Sequence, residues 1–292
     1  MDPTRLIVNA DDFGYFDCVS RGILKSIDSG SVTATGIMAN GPNIRNNIRS
    51  LQMTDARVDV GVHLNLSLGS PLTPDMRHCL RKWRGRFPGK FTVVAALLSK
   101  KIRLEAVKVE WSAQIERCIE LGVKPLFLNS HEHLHMLPML NSMVRELATT
   151  FRIPFVRHVT SEPLSVSLPH GGVRKLVLAI LSLANPPSDE GAPQLLGVGA
   201  SGRLTHSYLR RRFDSLRNGQ AYELMCHPGY YDPSEIKERR LVAYHHWGSE
   251  LRLLTSPTFQ ALCADRGIRL IGYQDLLPWN SGLTGCASPP NI

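Results

Sequence analysis

The chain has 292 residues, of which 43% are hydrophobic and 20% are charged, and 34 Lys and Arg against 25 Asp and Glu give a formal net charge of +9. These proportions exclude a mainly disordered chain. The length suffices for one large domain with its own core. We expect a single domain over residues 1–279, followed by a loose tail over residues 280–292.

Predicted strands and helices alternate along the chain. The strands are predicted at residues 5–10, 31–39, 58–66, 125–129, 155–157, 221–226 and 269–272, with the main helices at 19–28, 105–121, 139–149, 207–216 and 258–265 and loops at 69–90 and 185–203. Such alternation predicts a parallel sheet with helices outside it. We expect an α/β fold, a distorted (β/α) barrel of about seven to eight strands. A doubly wound open sheet is the alternative.

The first polar group follows the first predicted strand. Asp11 and Asp12 are adjacent carboxylates, which repel each other and are both disfavoured by burial. A metal ion would keep one carboxylate ionised and leave the other as a general base. The alternative is a helix N-cap, because a helix is predicted to follow.

Histidines mark the ends of two further strands. His63 shares one face of its strand with Gly61 and Asn65, and it is either a metal ligand or a hydrogen-bonded core residue. His131, His133 and His135 follow the fourth strand directly. They would point the same way in an extended segment, whereas a helical turn would place His131 and His135 on one face. Three such residues within five positions predict a metal or acid–base site.

A fourth site residue lies at the end of the strand over residues 221–226. His227 precedes Pro228 and Gly229, which force a turn and present the imidazole at the strand end. Because histidine titrates near neutrality, it suits a general acid that protonates a leaving amine. The alternative is a structural histidine that bonds to the backbone of the turn.

One Asp and two His can coordinate a divalent ion and leave positions open for water and substrate. Two imidazoles suit Zn²⁺, Co²⁺ or Ni²⁺ better than Mg²⁺, although composition leaves the metal open. The stretch Gly197–Gly202 matches a Gly-x-Gly-x-x-Gly pattern. We interpret it as a flexible loop rather than a dinucleotide site, because Glu223, at the distance of the ribose-binding acid, lies inside a predicted strand.

Basic and apolar segments indicate whether the protein could bind nucleic acid or a membrane. The clusters at Arg81–Arg86 and Arg210–Arg212 are interpreted as solvated faces, and with 7% aromatic residues and no nucleic-acid module we expect no nucleic-acid partner. The apolar run Leu176–Ala184 is too short to span a bilayer. It is interpreted as a core helix, with peripheral membrane contact as the alternative. Scattered cysteines and no secretory signal predict a cytoplasmic protein with reduced thiols.

Four motifs taken together resemble the signatures of one family. They are Asn9–Gly14, Gly61–Leu64, Ser130–His135 and Met225–Gly229, and their order and spacing are similar to those of the YdjC-like carbohydrate deacetylases. The resemblance implies a polysaccharide-deacetylase-like barrel. It also implies a metal-dependent hydrolase that removes an N-acetyl group from an amino-sugar glycan, a glycolipid or another glycoconjugate, with a homodimer as one possible oligomeric state.

The resemblance also implies roles for individual residues. One divalent metal ion, Mg²⁺ or Zn²⁺ with Co²⁺ and Ni²⁺ as further options, would be bound by Asp12, His63 and His131. Asp11 would be the general base and His227 the general acid. The implied substrate-binding residues are His133, His135 and Arg157. The alternative is another single-metal hydrolase on the same scaffold, a phosphoesterase or a different amidase, which the basic segment over residues 68–90 motivates.

Overall fold

A computed structural model of the protein describes residues 2–159 and 192–277, and all strand pairs in it are parallel. The strands of these residues are β1 Thr4–Phe13, β2 Ala34–Ile37, β3 Asp59–Leu64, β4 Phe127–Ser130, β5 Phe155–Val156, β6 Gln194–Leu196, β7 Ala221–Cys226 and β8 Ile268–Leu270. The α-helices are α1 Asp17–Asp28, α2 Ile44–Gln52, α3 Pro74–Cys79, α4 Lys90–Leu98, α5 Leu104–Glu120, α6 Pro138–Thr150, α7 His206–Phe213, α8 Arg239–Tyr244, α9 Trp247–Leu254 and α10 Pro257–Ala264.

The strand order identifies a barrel rather than a doubly wound sheet. The sheet runs β5-β4-β3-β2-β1-β7-β6, and β8 pairs with the start of β1. The chain therefore steps around the sheet in one direction, from β1 to β5 and then from β6 through β7 back to β1. In a doubly wound sheet the second set of strands would instead lead away from β1.

A contact across the sheet shows how strongly it curls. Arg157 follows β5, yet its guanidinium bonds directly to Asp11 on β1 and to Glu223 on β7. In a flat sheet, the four strand spacings between β5 and β1 would separate them by about 19 Å. The sheet therefore bends round on itself, and the predicted distorted (β/α) barrel is confirmed.

Alternation along the strands separates the two faces of the barrel. On β1, Leu6 and Val8 belong to the large apolar cluster that includes the helices, whereas Ile7 packs inside the barrel. The apolar cluster inside the barrel comprises Ile7, Ala34, Phe127, Ile271 and Tyr273. It fills the amino-terminal end of the barrel interior, so the polar side chains that follow along the same strands collect at the carboxyl ends.

Two segments predicted as loops contain regular structure. Residues 69–90 include α3, and residues 185–203 include β6. Thr73 caps α3, because its Oγ1 accepts from the backbone N–H of Met76, and Pro74 begins the helix. The buried carboxylate of Glu110 on α5 holds this cap by accepting from Thr73 Oγ1 at 2.8 Å. The loop prediction was wrong because the high Pro, Gly and Arg content hid a helix that a distant carboxylate stabilises.

The structure also replaces the flexible loop predicted at Gly197–Gly202 with a 3₁₀ turn, Val198–Ala200, directly after β6. The next helix, α7, begins only at His206 and is capped by Thr205. The segment therefore does not open a helix, as a dinucleotide-binding loop would. The Leu176–Ala184 run and the tail over residues 280–292 lie outside the described residues. Within the described ranges, no helix combines the length and apolar character needed to cross a bilayer.

Candidate metal centre and active site

The end of β1 directs two adjacent carboxylates into the same space. Residues that follow each other on a regular strand point to opposite faces, so Asp11 alone would face the barrel interior. The pairing of β1 with β2 is irregular between Ala10 and Phe13, and Asp12 has a left-handed backbone with φ of 70°. This bulge turns the Asp12 carboxylate toward the interior as well.

Asp12 forms a cluster with two of the predicted histidines. Asp12, His63 and His131 each offer one ligand atom, and these atoms all lie within 4.8 Å of one another. Asp12 Oδ1 lies 3.2 Å from His63 Nε2 and 2.9 Å from His131 Nδ1. Burial alone would raise the pKa of Asp12, but His131 and His63 outweigh it and hold the pKa well below its usual value. The cluster thus combines an ionised carboxylate with two imidazoles.

A hydrogen-bond chain orients the His63 ring. Asn129 donates from Nδ2 to Asp11 Oδ1 at 3.0 Å, so its amide oxygen faces His63 and accepts from His63 Nδ1 at 2.7 Å. The other ring nitrogen, Nε2, then faces Asp12 Oδ1 at 3.2 Å. A metal-binding histidine is usually oriented by such a second hydrogen bond.

Asp11 lies in a buried network of charges. Arg157 donates to both of its carboxylate oxygens, at 2.6 Å and 2.9 Å, and also bonds to Glu223 on β7. Burial raises the pKa of Asp11, but the Arg157 guanidinium, together with His63 and His227, outweighs this, and the pKa lies below its ordinary value. Asp11 is therefore ionised and can accept a proton. Arg157 is itself only 3% exposed, so its contacts position Asp11.

The His131–His135 segment adopts neither of the two geometries expected from the sequence. It forms a 3₁₀ turn in which Glu132 and His133 have left-handed backbones with φ of 56° and 58°. His131 consequently faces Asp12, whereas His135 turns away, and its Nε2 donates to the Arg157 carbonyl at 2.9 Å. Burial lowers the pKa of His135 to about 3, so this ring is neutral. The expectation that the three imidazoles point the same way was wrong, because the backbone reverses after His131.

An ion pair between a lysine and a glutamate lies on the outer side of the same turn. Lys90, the first residue of α4, forms an ion pair of 2.9 Å with Glu132. Burial raises the pKa of Glu132, but His131 and Lys90 outweigh it, so the pKa is lowered. His133 is buried in this turn, and its ring centroid lies 6.3 Å from that of His135. A role of His133 and His135 in substrate binding stays a prediction.

His227 directly follows the last residue of β7 and lies beside Asp11. The register pairs Ala10 with Cys226, so Asp11 and His227 follow on neighbouring strands at the same level. The backbone N–H of His227 donates to Glu250 Oε2 at 2.7 Å, and its imidazole packs against His245 with the ring centroids 4.8 Å apart. Burial raises the pKa of Glu250. Within the described residues, His227 Nδ1 has no hydrogen-bond partner in the protein.

Helix α1 approaches the turn after His227 so closely that only glycine fits at position 22 of the helix. A Cβ on Gly22 would clash with Gly229 Cα and lie 2.7 Å from its carbonyl carbon. We expect Gly22→Ala to lower the free energy of unfolding by about 1–3 kcal/mol and to reduce turnover, because it displaces the turn that carries His227. Urea denaturation and a rate measurement would test this.

Gly248→Ala provides a control for Gly22→Ala, since its Cβ would meet only Arg252 Nη1, at 3.5 Å and at the end of a flexible side chain. We expect its effect on stability to stay within about 0.5 kcal/mol. Equal stability of the two variants would contradict the close approach of α1.

Sequence reasoning missed several residues that position the site. Asn9 and Glu223 lie two and four residues before Asp11 and His227, on the same strand faces. Asn9 Nδ2 donates to Asp11 Oδ1 at 3.1 Å and to Glu223 Oε1 at 3.0 Å. Strand alternation could have found both residues. Glu250 and His245 come from the unpredicted region of α8 and α9, and no sequence pattern pointed to them.

A parallel barrel that gathers carboxylates and imidazoles at the carboxyl ends of its strands has the architecture of a barrel enzyme. The family model described as YdjC-like protein matches residues 5–265. The chain therefore belongs to the YdjC-like family.

Curated relatives match nearly the whole chain. A carbohydrate deacetylase of Geobacillus stearothermophilus is 31% identical over 278 residues, covering 94% of this chain and 98% of that protein. A chitooligosaccharide deacetylase of Yersinia pestis is 30% identical over 279 residues, with 92% and 98% covered. A solved structure from Enterococcus faecalis V583, whose description only proposes a cellobiose-phosphate cleavage protein, is 24% identical and superposes with a TM-score of 0.71 over 94% of this chain and 99% of that one. This last similarity shows the fold.

Proposed function

We propose that this protein is a metal-dependent carbohydrate deacetylase that hydrolyses the N-acetyl group of an amino sugar. The observation that carries the proposal is the ionised Asp11, clamped by Arg157, next to the cluster of Asp12, His63 and His131. The names of the curated relatives, carbohydrate deacetylase and chitooligosaccharide deacetylase, support the same reaction.

The three clustered residues fit a divalent metal ion. A carboxylate and two imidazoles form a donor set typical of a catalytic site, and it favours Zn²⁺, Co²⁺ or Ni²⁺ over Mg²⁺. The Nδ1 proton of His63 is held by Asn129, which supports Nε2 as the ligand atom. A divalent ion bound there would polarise the acetamide carbonyl and lower the pKa of a water molecule.

Asp11 serves as the general base. Its carboxylate is ionised, lies beside the cluster and accepts hydrogen bonds from Asn9, Asn129 and Arg157. These donors hold it in one orientation, in which it removes a proton from the attacking water. Arg157 acts through Asp11 in this proposal, whereas the resemblance implied contact with the substrate.

His227 serves as the general acid. It lies at the end of β7, next to Asp11, so the two proton-transfer groups flank one space. Glu250 Oε2 accepts a hydrogen bond of 2.7 Å from the backbone N–H of His227, and His245 packs against the His227 ring. From this position the imidazole protonates the amine as acetate departs. The amide C–N bond breaks, and the products are the free amino sugar and acetate.

The test is acetate release from N-acetylated chito-oligosaccharides by metal-stripped protein to which Mg²⁺, Zn²⁺, Co²⁺ or Ni²⁺ is restored. We expect release that depends on the added metal. A metal-loaded protein that releases no acetate but hydrolyses p-nitrophenyl phosphate would overturn the proposal in favour of a phosphoesterase.

Removing a ligand is expected to weaken metal binding strongly. His63→Ala should weaken Zn²⁺ binding at least about 100-fold, since changing even an outer partner of a metal ligand costs 10–100-fold. Calorimetric titration of the metal-stripped protein measures this. His78→Ala is the matched control, because it removes an exposed imidazole on α3 and should leave the affinity unchanged. Equal affinities for the two variants would rule out His63 as a ligand.

A further inference from the structure

Helix α4 presents an apolar stripe on its exposed side. Phe91, Ala95 and Leu98 are exposed and recur at helical spacing, so they lie in one row along the helix. Phe91 is 70% exposed and Leu98 is 67% exposed. Val93 and Leu97 lie on the other side of α4, buried in the main apolar core. The exposed side therefore differs from that of an ordinary surface helix, whose outer face is polar.

The segment that contains α4 is strongly basic. Residues 76–104, the cationic segment, contain nine Lys and Arg and no Asp or Glu, and this charge equals the formal net charge of the whole chain. The rest of the chain thus has as many acidic as basic residues. All nine except Lys90 are exposed: Arg77, Arg81, Lys82, Arg84, Arg86, Lys100, Lys101 and Arg103. The positive charge of the protein is concentrated around one apolar helix.

Cations lie at both ends of the apolar stripe. Lys90 begins α4, and its Nζ lies 5.3 Å from the centre of the Phe91 ring. At the other end, the backbone N–H of Lys101 donates to the Ala96 carbonyl at 2.8 Å. This bond folds the chain back on the last turn of the helix, where Leu98 is exposed. The stripe and the charges therefore belong to one continuous surface.

The combination of charge and apolar stripe selects the partner. A bilayer with anionic lipids offers phosphates to Lys and Arg and an apolar boundary to Phe and Leu, as for other helices that lie in the interface. Nucleic acid would match the charges but would leave the apolar stripe without a complementary surface. A second copy of the chain fits poorly, because a two-fold contact would set the cationic segment against itself.

We propose that α4 and the cationic segment dock this protein on a membrane surface that contains anionic lipids, with the apolar stripe in the lipid interface. Lys90 also forms the ion pair of 2.9 Å with Glu132, the residue after the candidate ligand His131. Docking through α4 would therefore bring the candidate active site close to the lipid headgroups. The proposal goes beyond the deacetylase reaction and does not depend on it.

Cosedimentation of the full chain with lipid vesicles tests the charge contribution. The wild-type protein should bind vesicles of phosphatidylcholine with phosphatidylglycerol, bind pure phosphatidylcholine far less, and dissociate as NaCl is raised. Lys101→Ala combined with Arg103→Ala should weaken binding about 30-fold, since each basic residue near an anionic surface contributes about fivefold. Arg210→Ala combined with Arg211→Ala is the matched control, because it removes two exposed charges on α7 and should bind like the wild type.

The apolar contribution needs its own variant. Phe91→Ser combined with Leu98→Ser should weaken binding to the anionic vesicles at least about tenfold, because both side chains lose their burial in the lipid interface. Met53→Ser is the control, since Met53 is 76% exposed at the end of α2, and it should bind like the wild type.

Three results would overturn the proposal. The first is equal binding to neutral and anionic vesicles, and the second is wild-type binding by the variant that lacks Phe91 and Leu98. The third is a dimer that this variant dissociates in sedimentation velocity, since a second copy would then cover α4. None of these measurements uses acetate release, so a failure of the deacetylase reaction would leave membrane docking standing.

Discussion

An Asp11→Asn protein is expected to release acetate about 10²–10⁴-fold more slowly than the wild-type chain, the usual contribution of a positioned general base. The asparagine keeps the shape of the side chain but cannot accept a proton. Its metal affinity should remain close to that of the wild type, because Asp12, His63 and His131 are unchanged. Acetate release and calorimetric metal titration measure the two quantities separately.

Asp59→Asn is the matched control for the loss of a buried carboxylate. Asp59 begins β3 at the opposite end of the barrel, where its carboxylate accepts from the backbone N–H of Gln274 at 2.8 Å. We expect this variant to keep the wild-type rate per folded molecule. Full activity in Asp11→Asn would show that another group is the base.

Replacing Arg157 by Met is expected to lower the free energy of unfolding by about 3–5 kcal/mol. Asp11 and Glu223 would then remain buried without the guanidinium that pairs with both, and an uncompensated buried charge has a cost of that size. Turnover should fall as well, because the Asp11 carboxylate loses its two bonds to Arg157. Urea denaturation measures the stability difference.

Arg57→Met is the control for the loss of an ion pair. Arg57 pairs with Asp275 at 3.0 Å, but its side chain is 63% exposed, so we expect a loss of no more than about 1 kcal/mol. Arg157→Lys should fall between the two, since it keeps the charge but not the paired geometry. If Arg157→Met and Arg57→Met had equal effects, the buried network would not contribute to stability.

The barrel and the positions of its polar residues could be predicted from the sequence. Apolar runs alternate with amphipathic helices, and Asp11, His63, His131 and His227 each lie at or near the end of a predicted strand. Because parallel strands bring their carboxyl ends to one edge, local patterns were enough to place these residues together. The segment over residues 69–90 was beyond such reasoning, since the cap of α3 depends on Glu110 from a distant helix.

The sequence by itself determined which residues could do chemistry and at which face of the fold they collect. Only the tertiary structure decided how they are arranged. The bulge at Asp12 turns the second carboxylate inward, and the curl of the sheet brings Arg157 against Asp11 instead of leaving it at an edge. It also places Trp247 beside the site, where it lines a small cavity with Asp12 and His131. Each of these depends on contacts between segments far apart in the chain, which no local pattern of residues encodes.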